Sequence, residues 1–168
     1  MGLFTPDFYF EDILRITPQF LAQNGIQGLV LDVDNTLTAH SSQKVSDSIR
    51  QWLQLMKENN ILLMIASNNY RKRVQPFAEG LGLEYISFAC KPSVRSLRYA
   101  CKKWNLTRKQ IAMVGDQIYT DSLAAGLYGV PMLLVKPFAK DVKRGILFKR
   151  HLEKPIIKRY HRRGGKLL

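Results

Sequence analysis

Two aspartates interrupt an apolar run between Gly28 and Thr38, where the sequence reads GLVLDVDNTLT. Asp32 and Asp34 are two residues apart, and each follows an aliphatic residue. An ionised carboxylate that is buried without a partner is destabilised by several kcal/mol, so acids in such a run indicate that a cation or hydrogen-bond donors contact them. The segment therefore predicts a buried strand that ends in an active site.

Polar side chains also follow three later apolar runs. Ser67 and Asn68 follow ILLMIA, Lys91 follows YISFAC, and Asp116 follows IAMVG, with Asp121 five residues later. Several carboxylates with one hydroxyl and one ammonium group fit amide or glycosidic chemistry poorly. They fit phosphoryl transfer, which requires an in-line nucleophile, a cation on the non-bridging oxygens and donors around the phosphoryl plane.

The same residues predict a Mg2+ site. Mg2+ prefers a few carboxylate oxygens and retains several waters, so Asp32, Asp116 and one backbone carbonyl would suffice as protein ligands. Ser67, Asn68 and Lys91 would then donate hydrogen bonds to the phosphoryl oxygens. The predicted cofactor is Mg2+, and the predicted substrate carries a phosphoryl group.

These residues need elements that deliver them to one place. The predicted strands cover 28–33, 61–66, 85–89, 111–114 and 130–135, and they alternate with predicted helices at 46–59, 71–80, 93–104 and 119–127. Such alternation predicts an α/β fold, a Rossmann-like three-layer sandwich around a central parallel sheet of about five strands. Ligands bind beyond the carboxyl ends of such strands, where the polar residues are expected to converge.

The motifs resemble those of a known superfamily. DVDNT at Asp32 to Thr36, Ser67, Lys91-Pro92 and GDQIYTD at Gly115 to Asp121 are similar, in this order, to the four motifs of the haloacid dehalogenase (HAD) phosphatases. The resemblance extends from about residue 25 to residue 135. It implies the HAD fold and a phosphoric monoester hydrolase.

The resemblance also implies a role for each motif residue. Asp32 would be the nucleophile that forms an aspartyl-phosphate, and Asp34 the general acid and then the general base. Ser67 would donate to a phosphoryl oxygen, and Lys91 would offset charge on the nucleophile and the phosphate.

The remaining motif residues are expected to hold metal or phosphate. Asp116 would ligate Mg2+ together with the Asp32 carboxylate and the Asp34 backbone carbonyl, and Asp121 would orient the metal site. Asn35, Thr36 and Asn68 are expected to contact the phosphate.

The spacing of the motifs leaves no room for a cap domain. One loop and one helix fill the interval between Asp34 and Ser67, and one helix and one strand fill the interval between Ser67 and Lys91. The whole chain resembles the capless branch related to phosphatidylglycerophosphate phosphatases, which implies a phospholipid substrate. A soluble phosphomonoester, such as a sugar phosphate or nucleotide, remains an alternative substrate, and nucleic-acid or ribosome binding remains an alternative function.

Charge is concentrated at the C-terminal end. The net charge is +13, and residues 136–168 hold 12 basic and 2 acidic residues against 14 and 11 in residues 1–135. A basic extension favours polyanionic partners, here an anionic membrane surface or nucleic acid. A helix is predicted over 141–150, and residues 160–168 are expected to be frayed or ordered by a ligand.

The aromatic segment Phe4 to Leu21 is predicted to form a helix between Pro6 and Pro18 that packs on the core or touches lipid. With 168 residues, the chain is expected to form a single domain with a catalytic core at 25–135, an N-terminal segment at 1–24 and the basic extension. It has neither a run of about 20 apolar residues nor a signal-peptide pattern. The predicted location is therefore the cytoplasm, or the inner face of a membrane as a peripheral protein.

Four residues near the motifs have alternative interpretations. Arg71, Lys72 and Arg73 would either contact a headgroup phosphate or begin a solvated helix. His40 would either touch substrate or lie in a surface loop. Cysteine residues occur only at 90 and 101, which are expected to be ordinary reduced thiols.

Overall fold

The computed structural model describes residues 2–40, 42–139 and 144–168. Its strands are β1 (Phe8–Phe10), β2 (Gly28–Leu31), β3 (Leu62–Ala66), β4 (Glu84–Ile86), β5 (Ile111–Gly115) and β6 (Met132–Val135). They form a six-stranded sheet in the order β1-β6-β5-β2-β3-β4, and every pair is parallel. The carboxyl ends of all these strands therefore lie at one edge of the sheet.

Helices cover both faces of the sheet. They are α1 (Pro18–Gln23), α2 (Asp47–Glu58), α3 (Arg71–Glu79), α4 (Arg95–Trp104), α5 (Leu123–Tyr128) and α6 (Arg144–Arg162). Leu29 and Leu31 of β2 belong to one buried apolar cluster, whereas Val30 belongs to the other, because successive side chains of a strand point to opposite faces. The predicted three-layer α/β fold is confirmed.

The first strand was not predicted. A helix was expected between Pro6 and Pro18, but Phe8–Phe10 forms the edge strand next to β6, and a short 3-10 turn (Ile13–Arg15) follows it. Aromatic residues fit a pleated surface well. Phe8 and Phe10 contact Phe20 edge-to-face, with ring centroids 4.9 and 5.1 Å apart, while Tyr9 contacts Tyr160 on the other face. The sheet therefore has six strands rather than about five.

The connections after β2 and β3 are short. Among the described residues, α2 is the helix that links β2 to β3, and α3 is the helix that links β3 to β4. Neither connection contains an inserted domain, which agrees with the predicted absence of a cap. The carboxyl edge of the sheet is therefore not covered by these segments.

The C-terminal region packs against the sheet. Of the predicted helix over 141–150, residues 141–143 lie outside the described residues, and α6 continues to Arg162. The expectation of frayed residues after 160 was wrong. Tyr160 is buried, and the end of the chain pairs with β1, since Leu168 N donates to Tyr9 O at 2.9 Å and Glu11 N donates to Leu168 O at 2.8 Å. This pairing covers a sheet edge that would otherwise expose free backbone groups.

Candidate active site

Asp32 contacts Lys91 directly at the carboxyl edge. Lys91 Nζ donates to Asp32 Oδ1 at 2.5 Å and lies 2.8 Å from Asp121 Oδ1, and all three residues are buried. Burial, reinforced by the charge of Asp121, raises the pKa of Asp32 to about 7 although Lys91 opposes the shift. Burial alone would lower the pKa of Lys91, but the two carboxylates raise it above its usual value. Lys91 is therefore held as a cation beside the predicted nucleophile.

Asp116 follows β5 and contacts a residue from the C-terminal helix. The Arg150 guanidinium of α6 donates to both the carboxylate and the backbone carbonyl of Asp116. Arg150 Nη1 also donates to Glu153 Oε2 at 3.0 Å, and Glu153 Oε1 accepts from Ile118 N at 2.7 Å. Burial raises the pKa of Asp116 well above its usual value, with Arg150 acting in the opposite direction. Helix α6 is therefore part of the site rather than a separate tail.

Three carboxylates converge closely enough to share a cation. Ligand oxygens of Asp32, Asp116 and Asp121 all lie within 4.8 Å of one another. Asp116 Oδ1 is buried and has no hydrogen-bond partner among the described residues, so an acceptor is available at the centre of the cluster. A hard cation with oxygen ligands fits this donor set. Asp121 therefore belongs to the cluster itself, in addition to its contact with Lys91.

Gly115 makes this arrangement possible. A Cβ atom at this position would overlap the carboxyl group of Asp121. The residue directly before Asp116 must therefore be glycine if Asp121 is to reach Lys91. The chain continues from Ile118 as a π-helical turn before α5, and π-helical turns occur frequently at functional sites.

Asp34 has its own set of partners. Arg73 Nη2 donates to Asp34 Oδ1 at 3.0 Å, Asn69 Nδ2 donates to Oδ2, and His40 Nδ1 lies 3.9 Å from Oδ1. Arg73 also lies 5.8 Å from the centroid of the Phe77 ring. Arg73 is thus not part of a solvated helix start, whereas Arg71 and Lys72 are exposed at the surface.

The predicted phosphate-contacting residues differ in what they contact. The Asn68 side chain contacts Lys91: Nδ2 donates to Lys91 O at 3.0 Å and Oδ1 accepts from Lys91 N at 2.7 Å, so the side chain fixes the Lys91 backbone. Ser67 is buried, and its Oγ accepts from Asn69 N at 3.2 Å. Asn35 and Thr36 are buried in the loop after β2, and the Thr36 hydroxyl has no partner among the described residues.

The contacts of four residues with the site were not predicted from the sequence. Arg150 contacts Asp116, Glu153 contacts Ile118 N, and Asn69 and Arg73 contact Asp34. Arg73 and Asn69 lie within six residues of Ser67, so their closeness to the second motif was a usable signal. No sequence signal indicated Arg150 and Glu153, because a basic helix far from the motifs is also typical of a solvated tail.

Comparisons with known proteins place the chain in a family. A family model of haloacid dehalogenase-like hydrolases matches residues 39–129, more than half of the chain. The chain belongs to this family. The matched region includes Ser67, Lys91 and Asp116 and begins just after Asp34.

Relatives extend the similarity to nearly the whole chain. The Bacillus subtilis (strain 168) protein named Probable phosphatase YqeG is 32% identical over 161 residues, which cover 96% of this chain and 94% of the relative. Phosphatidylglycerophosphate phosphatase 1, chloroplastic/mitochondrial, of Arabidopsis thaliana is 23% identical over 95% of this chain. The chain spans only 49% of that relative.

A solved structure agrees with the fold. The structure of a HAD family hydrolase from Streptomyces avermitilis superposes with a TM-score of 0.57 at 19% identity, covering 77% of this chain and 80% of that one. The predicted HAD fold is confirmed, as is the prediction that the chain is a HAD-family phosphatase. The roles of individual residues remain predictions.

Proposed function

We propose that the protein hydrolyses a phosphomonoester through an aspartyl-phosphate on Asp32. The observation that carries this proposal is the buried contact of Asp32 with Lys91, next to Asp116 and Asp121. An ammonium group beside a carboxylate nucleophile offsets the charge that accumulates when the nucleophile meets an anionic phosphate. Asp34 is separately held by Arg73 and Asn69, which fix the orientation of the carboxylate proposed to transfer the proton.

Two steps complete the reaction. An oxygen of Asp32 attacks phosphorus while the bond from phosphorus to the leaving oxygen breaks, and Asp34 gives its proton to that oxygen. Water then attacks phosphorus, Asp34 accepts a proton from the water, and inorganic phosphate leaves. The Asp32 carboxylate is thereby regenerated.

Asp32, Asp116 and Asp121 are proposed to hold Mg2+, with the Asp34 backbone carbonyl as a further ligand. A bound divalent cation would supply charge neutralisation at the non-bridging phosphate oxygens. The Ser67 hydroxyl is proposed to donate a hydrogen bond to one of these oxygens. Asn68 is proposed to act on Lys91, because its side chain holds the Lys91 backbone at both polar atoms.

The proposed substrate is phosphatidylglycerophosphate, which would be converted to phosphatidylglycerol. Two observations support it: the similarity to a relative with that name, and the short connections that leave the carboxyl edge without a cap. An open site suits a substrate presented at a large surface, since the surface itself restricts access of water.

The substrate test compares lipid and soluble esters. Purified protein with Mg2+ is assayed for phosphate release from phosphatidylglycerophosphate in mixed micelles and from a panel of sugar phosphates and nucleoside monophosphates. We expect kcat/KM to be at least about 100-fold higher for the lipid, because contacts beyond the phosphate discriminate between substrates. Equal or faster turnover of a soluble ester would replace the lipid assignment.

Asp32→Asn tests the mechanism independently of the substrate. We expect turnover of every ester to fall by at least about 1,000-fold, because a carboxamide cannot form the aspartyl-phosphate. Asp47→Asn, at an exposed acid in the first turn of α2, is the control and should keep wild-type activity. Full activity in Asp32→Asn would show that another residue is the nucleophile.

A further inference from the structure

Exposed aromatic side chains surround the mouth of the active site. We use the name catalytic rim for Tyr70, Phe88, Phe138 and Phe148, whose exposed fractions are 69%, 49%, 54% and 66%. Single exposed apolar residues are ordinary, but several around one opening indicate an interaction surface. These four are among the most exposed aromatic residues of the part of the chain that the structure describes.

Each rim residue is tied to the catalytic loops. Tyr70 and Phe88 follow β3 and β4 and contact each other edge-to-face at 4.8 Å. Phe88 N donates to Asn69 O at 3.0 Å, and Phe138 N, beyond β6, donates to Asn35 O at 2.8 Å. The fourth, Phe148, lies on α6 two residues before the arginine that contacts Asp116, so its ring points away from Asp116 towards solvent. Tyr70, Phe88 and Phe138 therefore border the catalytic loops at the carboxyl edge, and Phe148 lies on the outer side of α6 beside them.

Basic residues outnumber acidic ones around the rim. The segments 35–46, 67–73, 87–95, 136–139 and 144–151 contain no aspartate or glutamate, and they include the exposed cations Arg71, Lys72 and Arg95. The exposed acids near this edge include Asp47 at the start of α2 and Glu11, whose Oε2 lies 2.6 Å from Lys136 Nζ. Aromatic and basic side chains on one face match the interface of an anionic bilayer, where aromatic rings lie among headgroups and cations meet negative lipids.

We propose that the catalytic rim lies on an anionic lipid bilayer, so that the active site opens directly onto the headgroups. This inference rests on the proposed lipid substrate. A lipid contact was expected in the segment Phe4 to Leu21, but Phe8 and Phe10 of this segment pack on Phe20. We instead assign the lipid contact to the rim, which borders Asp32 and Asp34. None of the helices in the described residues has the length and apolar character needed to span a membrane.

A tryptophan pair tests the orientation. Phe138→Trp and Leu127→Trp place an indole at the rim and at an equally exposed position at the far end of α5. Each variant is mixed with vesicles of phosphatidylglycerol and phosphatidylcholine, some carrying brominated chains. We expect a blue shift and bromine quenching for Phe138→Trp but not for Leu127→Trp. Quenching only at position 127, or at neither position, would overturn the proposal.

A matched set of substitutions tests the affinity. The rim variant combines Phe88→Asn, Phe138→Ser and Phe148→Gln; asparagine suits the backbone at position 88, where φ is +48°. The control variant combines Leu55→Gln, Tyr99→Ser and Leu127→Gln, at positions exposed by 43%, 48% and 54%. We expect the rim variant to lose at least about tenfold in vesicle partitioning, since apolar burial drives interfacial binding, and the control variant to lose less than about twofold.

Hydrolysis of p-nitrophenyl phosphate separates this inference from the proposed function. The rim variant should keep this activity within about twofold of wild type, since the substitutions leave the catalytic residues in place. If the wild type binds vesicles through the rim but does not hydrolyse the lipid phosphate, the substrate assignment fails and the rim inference stands. Equal vesicle binding by the rim variant and wild type would overturn the inference, as would a rim-dependent dimer without vesicle binding.

Discussion

At the scale of single residues, the two aspartates of the first motif have different electrostatic surroundings. Asp32 is paired with Lys91 and crowded by Asp121, whereas Asp34 is held by Arg73 and Asn69. This difference matches the different tasks proposed for them. A nucleophile next to a cation can approach an anionic phosphate, and a proton-transfer group needs a fixed orientation towards the leaving oxygen.

Arg73 is a positioning residue whose loss should act through Asp34. We expect Arg73→Ala to lower kcat for p-nitrophenyl phosphate by about 10- to 100-fold with little change in KM, because Asp34 would lose its orientation. Arg73→Lys should recover part of the activity, since one donor is restored. Lys72→Ala, at the exposed neighbour, is the matched control. An increase in KM with kcat unchanged would instead indicate that Arg73 binds substrate.

At the scale of elements, α6 is a structural part of the site. Glu153 accepts from Ile118 N at the start of the helical segment after β5 and also holds Arg150 against Asp116. A buried carboxylate with these two partners links the C-terminal helix to the predicted metal ligand. The basic helix α6 is therefore not a separate tail, since its Arg150 faces the site.

Glu153→Ala should destabilise the fold and impair the site. We expect the free energy of unfolding to fall by about 1–3 kcal/mol, because the Ile118 N–H is left without its acceptor and Arg150 loses one of its partners. Urea denaturation measures this change. His151→Ala, at an exposed position of the same helix, should have an effect below about 0.5 kcal/mol. Equal stability of the two variants would show that the Glu153 contacts contribute nothing.

Asp7, the residue before β1, should make the free energy of unfolding depend on pH. Burial raises the pKa of Asp7, although its carboxylate accepts from Met132 N at 2.8 Å. Because the pKa is higher in the folded state, Asp7 favours folding most at low pH, and this contribution is lost as pH rises from about 4 through the folded-state pKa. The stability of Asp7→Asn relative to wild type should therefore increase from pH 4 to 7 in urea denaturation. A constant difference would contradict the raised pKa.

At the scale of the whole molecule, the sheet brings together the proposed catalytic groups from separate segments of the chain. Asp32, Ser67, Lys91 and Asp116 each follow a different strand, and parallel pairing aligns these strand ends at one edge. The folded state alone brings the three carboxylates together. A cation that binds them should therefore stabilise the fold as a whole.

Thermal unfolding with Mg2+ tests this linkage. At a Mg2+ concentration of about 100 times Kd, the fold should gain about 2.7 kcal/mol, which corresponds to a rise in Tm of roughly 5–10 °C. EDTA should remove both the shift and the phosphatase activity, and Mg2+ should restore them. Asp116→Asn should lose most of the shift, whereas Asp47→Asn should retain it. An equal shift in both variants would place the cation elsewhere.

Short-range patterns in the sequence were enough to predict most of the strands and the position of the candidate site. Apolar runs located β2, β3, β5 and β6 within a few residues, and the acids, serine and lysine at their ends located the site. These features can be predicted from the sequence because burial and strand direction impose local periodicity. The same patterns predicted the family and the absence of a cap.

Tertiary structure determined the features that depend on contacts between residues distant in sequence. Residues Phe8–Phe10 became a strand because β6 and the C-terminal residues offered backbone partners on both sides, which no local pattern shows. Arg150 and Glu153 joined the site because α6 packs across the sheet, and Asn68 was directed to the Lys91 backbone by the fold of two loops. The sequence determined which groups are proposed to do the chemistry, since their types and strand-end positions are local, whereas long-range packing determined which groups support them.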